Sequence, residues 1–110
     1  VDEAYLPNWG QRQPRCDLGI VKLKLIIEVK YARERRDFEE IEEQVAGDIG
    51  LYFKDTTQFD HLIVFVYDDC DEQYPERYDS LRNALEKRDE VEKVVIVRRP
   101  SMFPARKDRN

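Results

Sequence analysis

The chain has 110 residues, 41% of them hydrophobic and 39% charged, with a formal net charge of −5; that composition fits one domain with a modest core and a heavily charged surface. No apolar run approaches the ~18 residues of a membrane span, so no membrane partner is expected, and no signal peptide is legible. Two cysteines, Cys16 and Cys70, lie far apart without metal-ligand spacing, which favours reduced thiols in a cytoplasmic protein over a disulfide.

The first residue is Val1 rather than Met, so the chain reads as a piece of a longer protein with an additional domain. Its charge is uneven. Residues 1–36 hold eight basic and five acidic groups, residues 37–93 six and eighteen, and residues 94–110 five and one. Two basic ends therefore flank an acidic middle. A local patch rather than the total decides where a polyanion docks, so the count permits a nucleic-acid partner without favouring one.

In chain order, residues 1–14 carry two prolines and a glycine and allow one short edge strand around Ala4–Leu6. Residues 15–21 and 24–31 are rich in β-branched groups and bracket Lys22–Leu23, which predicts a tight hairpin. Residues 37–54 repeat Phe38, Ile41, Val45, Ile49 and Tyr52 at helical spacing, with Asp37 as the expected cap and glutamates in the first turns, where the helix dipole favours them. Gly47 and Gly50 suggest close packing against a neighbour. The apolar run at 61–67 predicts a strand covered on both faces. Residues 75–90 start at Pro75 and form a second helix, and residues 92–98 supply a last strand. The fold expected is α/β: a mixed central sheet flanked by helices, in the order β-β-β-α-β-α-β, with a right-handed crossover making the strands at 24–31 and 61–67 parallel. The domain is expected over 1–98, with 99–110 a loosely ordered basic tail.

The stretch LIIEVKYAR at 25–33 places Glu28 and Lys30 on one face of a core strand, where unpaired charge costs several kcal/mol. With Lys22 and Leu23 as the loop, Val21 faces Lys24, Asp17 lies opposite Glu28, and Arg15 opposite Lys30. Facing Cβ atoms are ~5 Å apart, and two carboxylates at that distance repel unless a proton or a cation lies between them. Oxygen ligands without nearby His or Cys point to Mg²⁺, with Lys30 set to polarise a metal-bound water. The plain alternative is a solvated strand face with cross-strand ion pairs; the apolar flanks Leu25, Ile26, Ile27 and Val29 weigh against it.

The pattern RCD at 15–17, EVK at 28–30 and QVAGDIGLY at 44–52 resembles the PD-(D/E)XK, or restriction-endonuclease-like, nuclease superfamily, and within it the DpnII/MboI-type subgroup. The resemblance implies that Asp17, Glu28 and the Val29 backbone carbonyl are metal ligands, that Lys30 positions the attacking water, and that Gln44 is a polar residue beside the active site. It implies Mg²⁺-dependent hydrolysis of DNA phosphodiester bonds, with Mn²⁺ as a substitute, in a module of a prokaryotic restriction or defence protein. A homodimer is compatible with it. The helix that precedes the first strand in that superfamily has no counterpart in the sequence. Arg15, Lys24, Arg33, Arg35 and Arg36 are the candidate phosphate contacts. The rival expectation is a catalytically inactive nuclease-fold module for nucleic-acid binding or protein assembly.

Other signals read as structural. His61 is the only histidine and is expected to begin a strand. The run DDCDE at 68–72 lacks the glycine and final glutamate of a calcium loop and is expected to be a solvated loop. Trp9, Tyr52 and Phe53 are expected to fill a core.

Overall fold

The computed structural model describes residues 3–4, 16–53 and 59–100, with side chains from Leu18 onward. Five strands form one sheet in the order β1-β2-β3-β4-β5: β1 (Glu3–Ala4), β2 (Cys16–Ile20), β3 (Leu25–Ala32), β4 (His61–Asp68) and β5 (Val91–Arg98). Two helices, α1 (Asp37–Tyr52) and α2 (Pro75–Glu86), connect the last three strands. The element order is the one expected, and the sheet is mixed: β1, β2 and β3 pair antiparallel, whereas β3, β4 and β5 run parallel. Of the basic tail expected over 99–110, Arg99 is held by Asp69 at 2.7 Å rather than loose and Pro100 is exposed; residues 101–110, Trp9 and Arg15 lie outside the described residues.

The strands β3, β4 and β5 follow one another in space as they do in sequence. Two right-handed crossovers advancing in the same direction put both helices on the same face. A single core results. It joins Ile26 and Ala32 of β3, Leu62, Val64 and Val66 of β4 and Val91 and Val94 of β5 to the α1 stripe Phe38, Ile41, Val45, Ile49 and Tyr52 and to Leu81 and Leu85 of α2. Tyr52 thus fills the core, as expected, and is fully buried. The expectation that β4 is covered on both faces needs correction. Its even-numbered residues are buried, but His61, Ile63, Phe65 and Tyr67 are only partly so, and Tyr31 and Val97 on the flanking strands are exposed.

Two local expectations also change. The hairpin turns through a single 3-10 turn at Val21–Leu23, with Lys24 in the left-handed region at φ 52°, so Ile20 pairs with Leu25 across a four-residue connection. Asp37 begins α1 rather than capping it. Its Oδ2 accepts hydrogen bonds from the backbone N–H groups of Arg33 (2.8 Å) and Glu34 (3.0 Å), closing the turn that leads in from β3. Gly50 meets nothing within 4 Å and Gly47 is exposed, so neither marks a close approach.

Candidate active site

Alternation along β3 sends Ile26, Glu28, Lys30 and Ala32 to the helix-covered face, where Glu28 is fully buried and Lys30 is 4% exposed. Gln44 and Asp48 stand one turn apart on α1, flanking the buried Val45 and Ile49, so both belong to the edge of the stripe that packs on β3. These four side chains meet. The Lys30 ammonium lies 3.1 Å from Glu28 Oε2, donates a hydrogen bond to Gln44 Oε1 at 3.2 Å, and lies 3.6 Å from Asp48 Oδ2.

The electrostatics of the cluster are unbalanced. One ammonium faces two carboxylates, and both Glu28 and Asp48 (1% exposed) are removed from water. Burial pushes the Glu28 carboxyl up to about 8, the neighbouring Asp48 carboxylate pushes the same way, and the Lys30 charge opposes them only in part. Three carboxylate oxygens, Glu28 Oε1 and Oε2 and Asp48 Oδ1, find no hydrogen-bond donor, Oε2 meeting only the Lys30 charge at 3.1 Å. Buried acceptors left in this state are costly. Among the described residues no three His, Cys, Asp or Glu side chains converge as a metal cluster.

The register brings Asp17 close to this point through the backbone, one residue away from where the arithmetic put it. Pairing follows the expected sum from Ile20↔Leu25 to Leu18↔Ile27, then shifts, so that Cys16 rather than Asp17 is the partner of Glu28. Asp17 is the extra residue of a β-bulge beside Glu28, a device that re-aims a strand next to an active site. Its side chain lies outside the described residues.

The site opens to solvent. A cleft of about 380 Å³ is lined by Val29, Lys30, Tyr31, Arg33, Asp37, Ile41 and Gln44. Arg33 also borders a second cleft of about 760 Å³, which Arg35, Arg36, Tyr74 and Arg77 line together with acidic groups. The candidate phosphate contacts divide accordingly. Arg33 sits at the mouth of the site. Arg35 pairs with Glu76 at 3.4 Å and lies over the Tyr74 ring, and Arg36 pairs with Glu34 at 3.6 Å. Lys24 is at the hairpin, six residues and roughly 20 Å along the strand from Lys30 at ~3.3 Å per residue; the fold does not bring it to the cleft.

Sequence reasoning passed over Asp48, although its spacing of four from Gln44 within QVAGDIGLY carried the signal. The run DDCDE is the solvated loop expected only at Asp71 and Glu72, which are exposed. Asp68, Asp69 and Cys70 are buried, not solvated. Asp68 accepts hydrogen bonds from the Cys70 backbone N–H (2.9 Å) and from the Tyr78 hydroxyl, and it pairs with Arg98 at 3.3 Å. Asp69 pairs with Arg99 at 2.7 Å. Burial and the neighbouring Asp68 carboxylate push the free Cys70 thiol up to about 12, which keeps it protonated and unreactive. His61 begins β4, as expected, between Asp60 and Glu92.

No helix among the described residues is long and apolar enough to cross a membrane. No curated protein and no solved structure matches the chain. A family model does: the DpnII-MboI model, described as REase_DpnII-MboI, matches residues 1–101. Matched over nearly its whole length, the chain belongs to the DpnII/MboI restriction endonuclease family and is a nuclease domain.

Proposed function

We propose that this chain is the catalytic domain of a divalent-cation-dependent endonuclease that hydrolyses DNA phosphodiester bonds, a module of a longer restriction or defence protein. The observation that carries this reading is the Lys30 ammonium, 4% exposed and 3.1 Å from a buried Glu28 carboxylate with an unsatisfied oxygen, at the wall of an open cleft.

In this reading Asp17, Glu28 and the Val29 backbone carbonyl hold the cation, Mg²⁺ with Mn²⁺ as substitute, since oxygen donors suit a hard ion. When bound, the cation supplies Lewis-acid charge to the phosphate and to the attacking water. Lys30 Nζ orients that water through one N–H while its others remain with the protein, and its charge stabilises the developing negative charge. Gln44 Oε1 fixes the Nζ position. Arg33, at the cleft mouth, contacts a DNA phosphate without reading sequence.

The test is cleavage of plasmid DNA by the full-length protein with Mg²⁺ or Mn²⁺, wild type against Lys30→Ala. Loss of turnover with DNA binding retained is expected, because a group that orients the nucleophile acts on the transition state more than on the bound ground state. Cleavage that survives the substitution excludes Lys30 from the chemistry. Wild-type protein that binds DNA yet never cuts it favours the inactive binding or assembly module.

A further inference from the structure

We infer that Asp48 is the positioning residue for Lys30, a role that rests on the nuclease reading above and extends it to a side chain of α1. An ammonium has three N–H groups, and Lys30 Nζ faces three oxygens: Glu28 Oε2 at 3.1 Å, Gln44 Oε1 at 3.2 Å and Asp48 Oδ2 at 3.6 Å. They come from two different elements. Glu28 is on β3 with Lys30, whereas Gln44 and Asp48 are on α1, one helical turn apart.

The difference matters once Glu28 turns its carboxylate toward a cation. Lys30 then loses its strand-borne acceptor and its nearest negative charge, and a buried ammonium without a counter-charge is costly. The two α1 oxygens remain. They hold Nζ from the helix side and leave the third N–H free to reach the attacking water. Gln44 supplies a neutral acceptor; Asp48 alone supplies charge. Asp48 is 1% exposed beside Val45 and Ile49, and its Oδ1 has no hydrogen-bond donor. A group that acts through Lys30 must lose its effect when Lys30 is gone.

The experiment is a double-mutant cycle in the full-length protein, comparing wild type, Asp48→Ala, Lys30→Ala and the double variant by single-turnover DNA cleavage with Mn²⁺. Asp48→Asn is the variant that keeps shape and one acceptor. Asp48→Ala should lower the rate about 10–100-fold, the range usual for a partner that orients a ligand or catalytic group at a metal site, with the KM for DNA unchanged within about twofold. Asp48→Asn should recover part of the rate. Adding Asp48→Ala to Lys30→Ala should cost nothing further. Equal fold-losses in the presence and absence of Lys30, or an effect confined to KM, overturn the role of Asp48. Should Asp48→Ala fail to fold, the same cycle run with Asp48→Asn decides between the two outcomes. A wild type that cleaves while the cycle is additive refutes only this inference; a wild type that never cleaves refutes the nuclease reading and this inference with it.

Discussion

Two buried ion clusters sit against the same sheet, and they are built to opposite standards. At the ends of β4 and β5, Asp68 accepts from the Cys70 backbone and the Tyr78 hydroxyl and pairs with Arg98, whose Nη1 also donates to the Cys70 carbonyl at 2.7 Å. Arg99 joins Asp69, donates to the same carbonyl at 2.9 Å and, through its backbone, to the Asp68 carbonyl. Strand ends, the following loop and α2 are tied together, and both Asp68 oxygens have partners. Against α1, Glu28, Lys30, Gln44 and Asp48 form a cluster with one more carboxylate than ammonium, three oxygens without hydrogen-bond donors and an opening to solvent beside Lys30 and Gln44. Satisfied polar networks rigidify a fold; incomplete ones are tolerated where something else completes them. The contrast separates a fully partnered structural hub from a cluster left incomplete.

The largest expected effect falls on the incomplete cluster. Lys30→Ala should reduce Mg²⁺-dependent cleavage by about 10²–10⁴-fold, the usual contribution of a positioned proton-handling group, as read by initial rates on plasmid DNA. Asp68→Ala should do the reverse: it should cost about 3–5 kcal/mol of stability, because Arg98 keeps its charge and loses its partner. Chemical denaturation checks this, and a loss below about 1 kcal/mol would remove the distinction between the clusters.

A third expectation concerns pH. The Glu28 carboxyl is raised from an ordinary value of 4.5 to about 8 in the folded chain, so between those values the folded state binds more protons than the unfolded one. Its contribution to stability is therefore complete below pH 4.5 and is lost as pH rises through about 8. Metal-free denaturation from pH 5 to 8 should show this fall. Glu28→Gln, which mimics the protonated form, should flatten it, and Mg²⁺ should restore stability at the alkaline end. A slope unchanged by Glu28→Gln would mean that Glu28 is already ionised. By the same logic Asp17→Asn should leave the metal-free protein as stable as before, or slightly more so.

The smallest effect serves as a control on both clusters. Gly50→Ala lies in the last turn of α1 with open space around it and should stabilise by up to about 0.5–1 kcal/mol, through helix propensity alone. Its thermal midpoint should rise while cleavage stays constant. Cleavage that changed with it would tie activity to the stability of α1 rather than to the groups that α1 presents.

The local features were legible because they repeat at short range. A period of two placed Glu28 and Lys30 on one face, helical spacing drew the α1 stripe from Phe38 to Tyr52, and Pro75 opened α2. Gln44 was singled out by family resemblance, and it does reach Lys30. What tertiary structure alone decided depends on elements distant in sequence. The bulge gave Cys16 rather than Asp17 the position opposite Glu28, a shift of one residue that no loop-length arithmetic contains. Two crossovers of one hand left a sheet face only half covered. Asp68 and Arg98, thirty residues apart, became partners only because β4 and β5 pair in parallel register. Asp48 became a neighbour of Lys30 only because α1 returns over β3. Sequence periodicity reports which way a side chain points along its own element; which charge it then meets is set by the packing of that element on another.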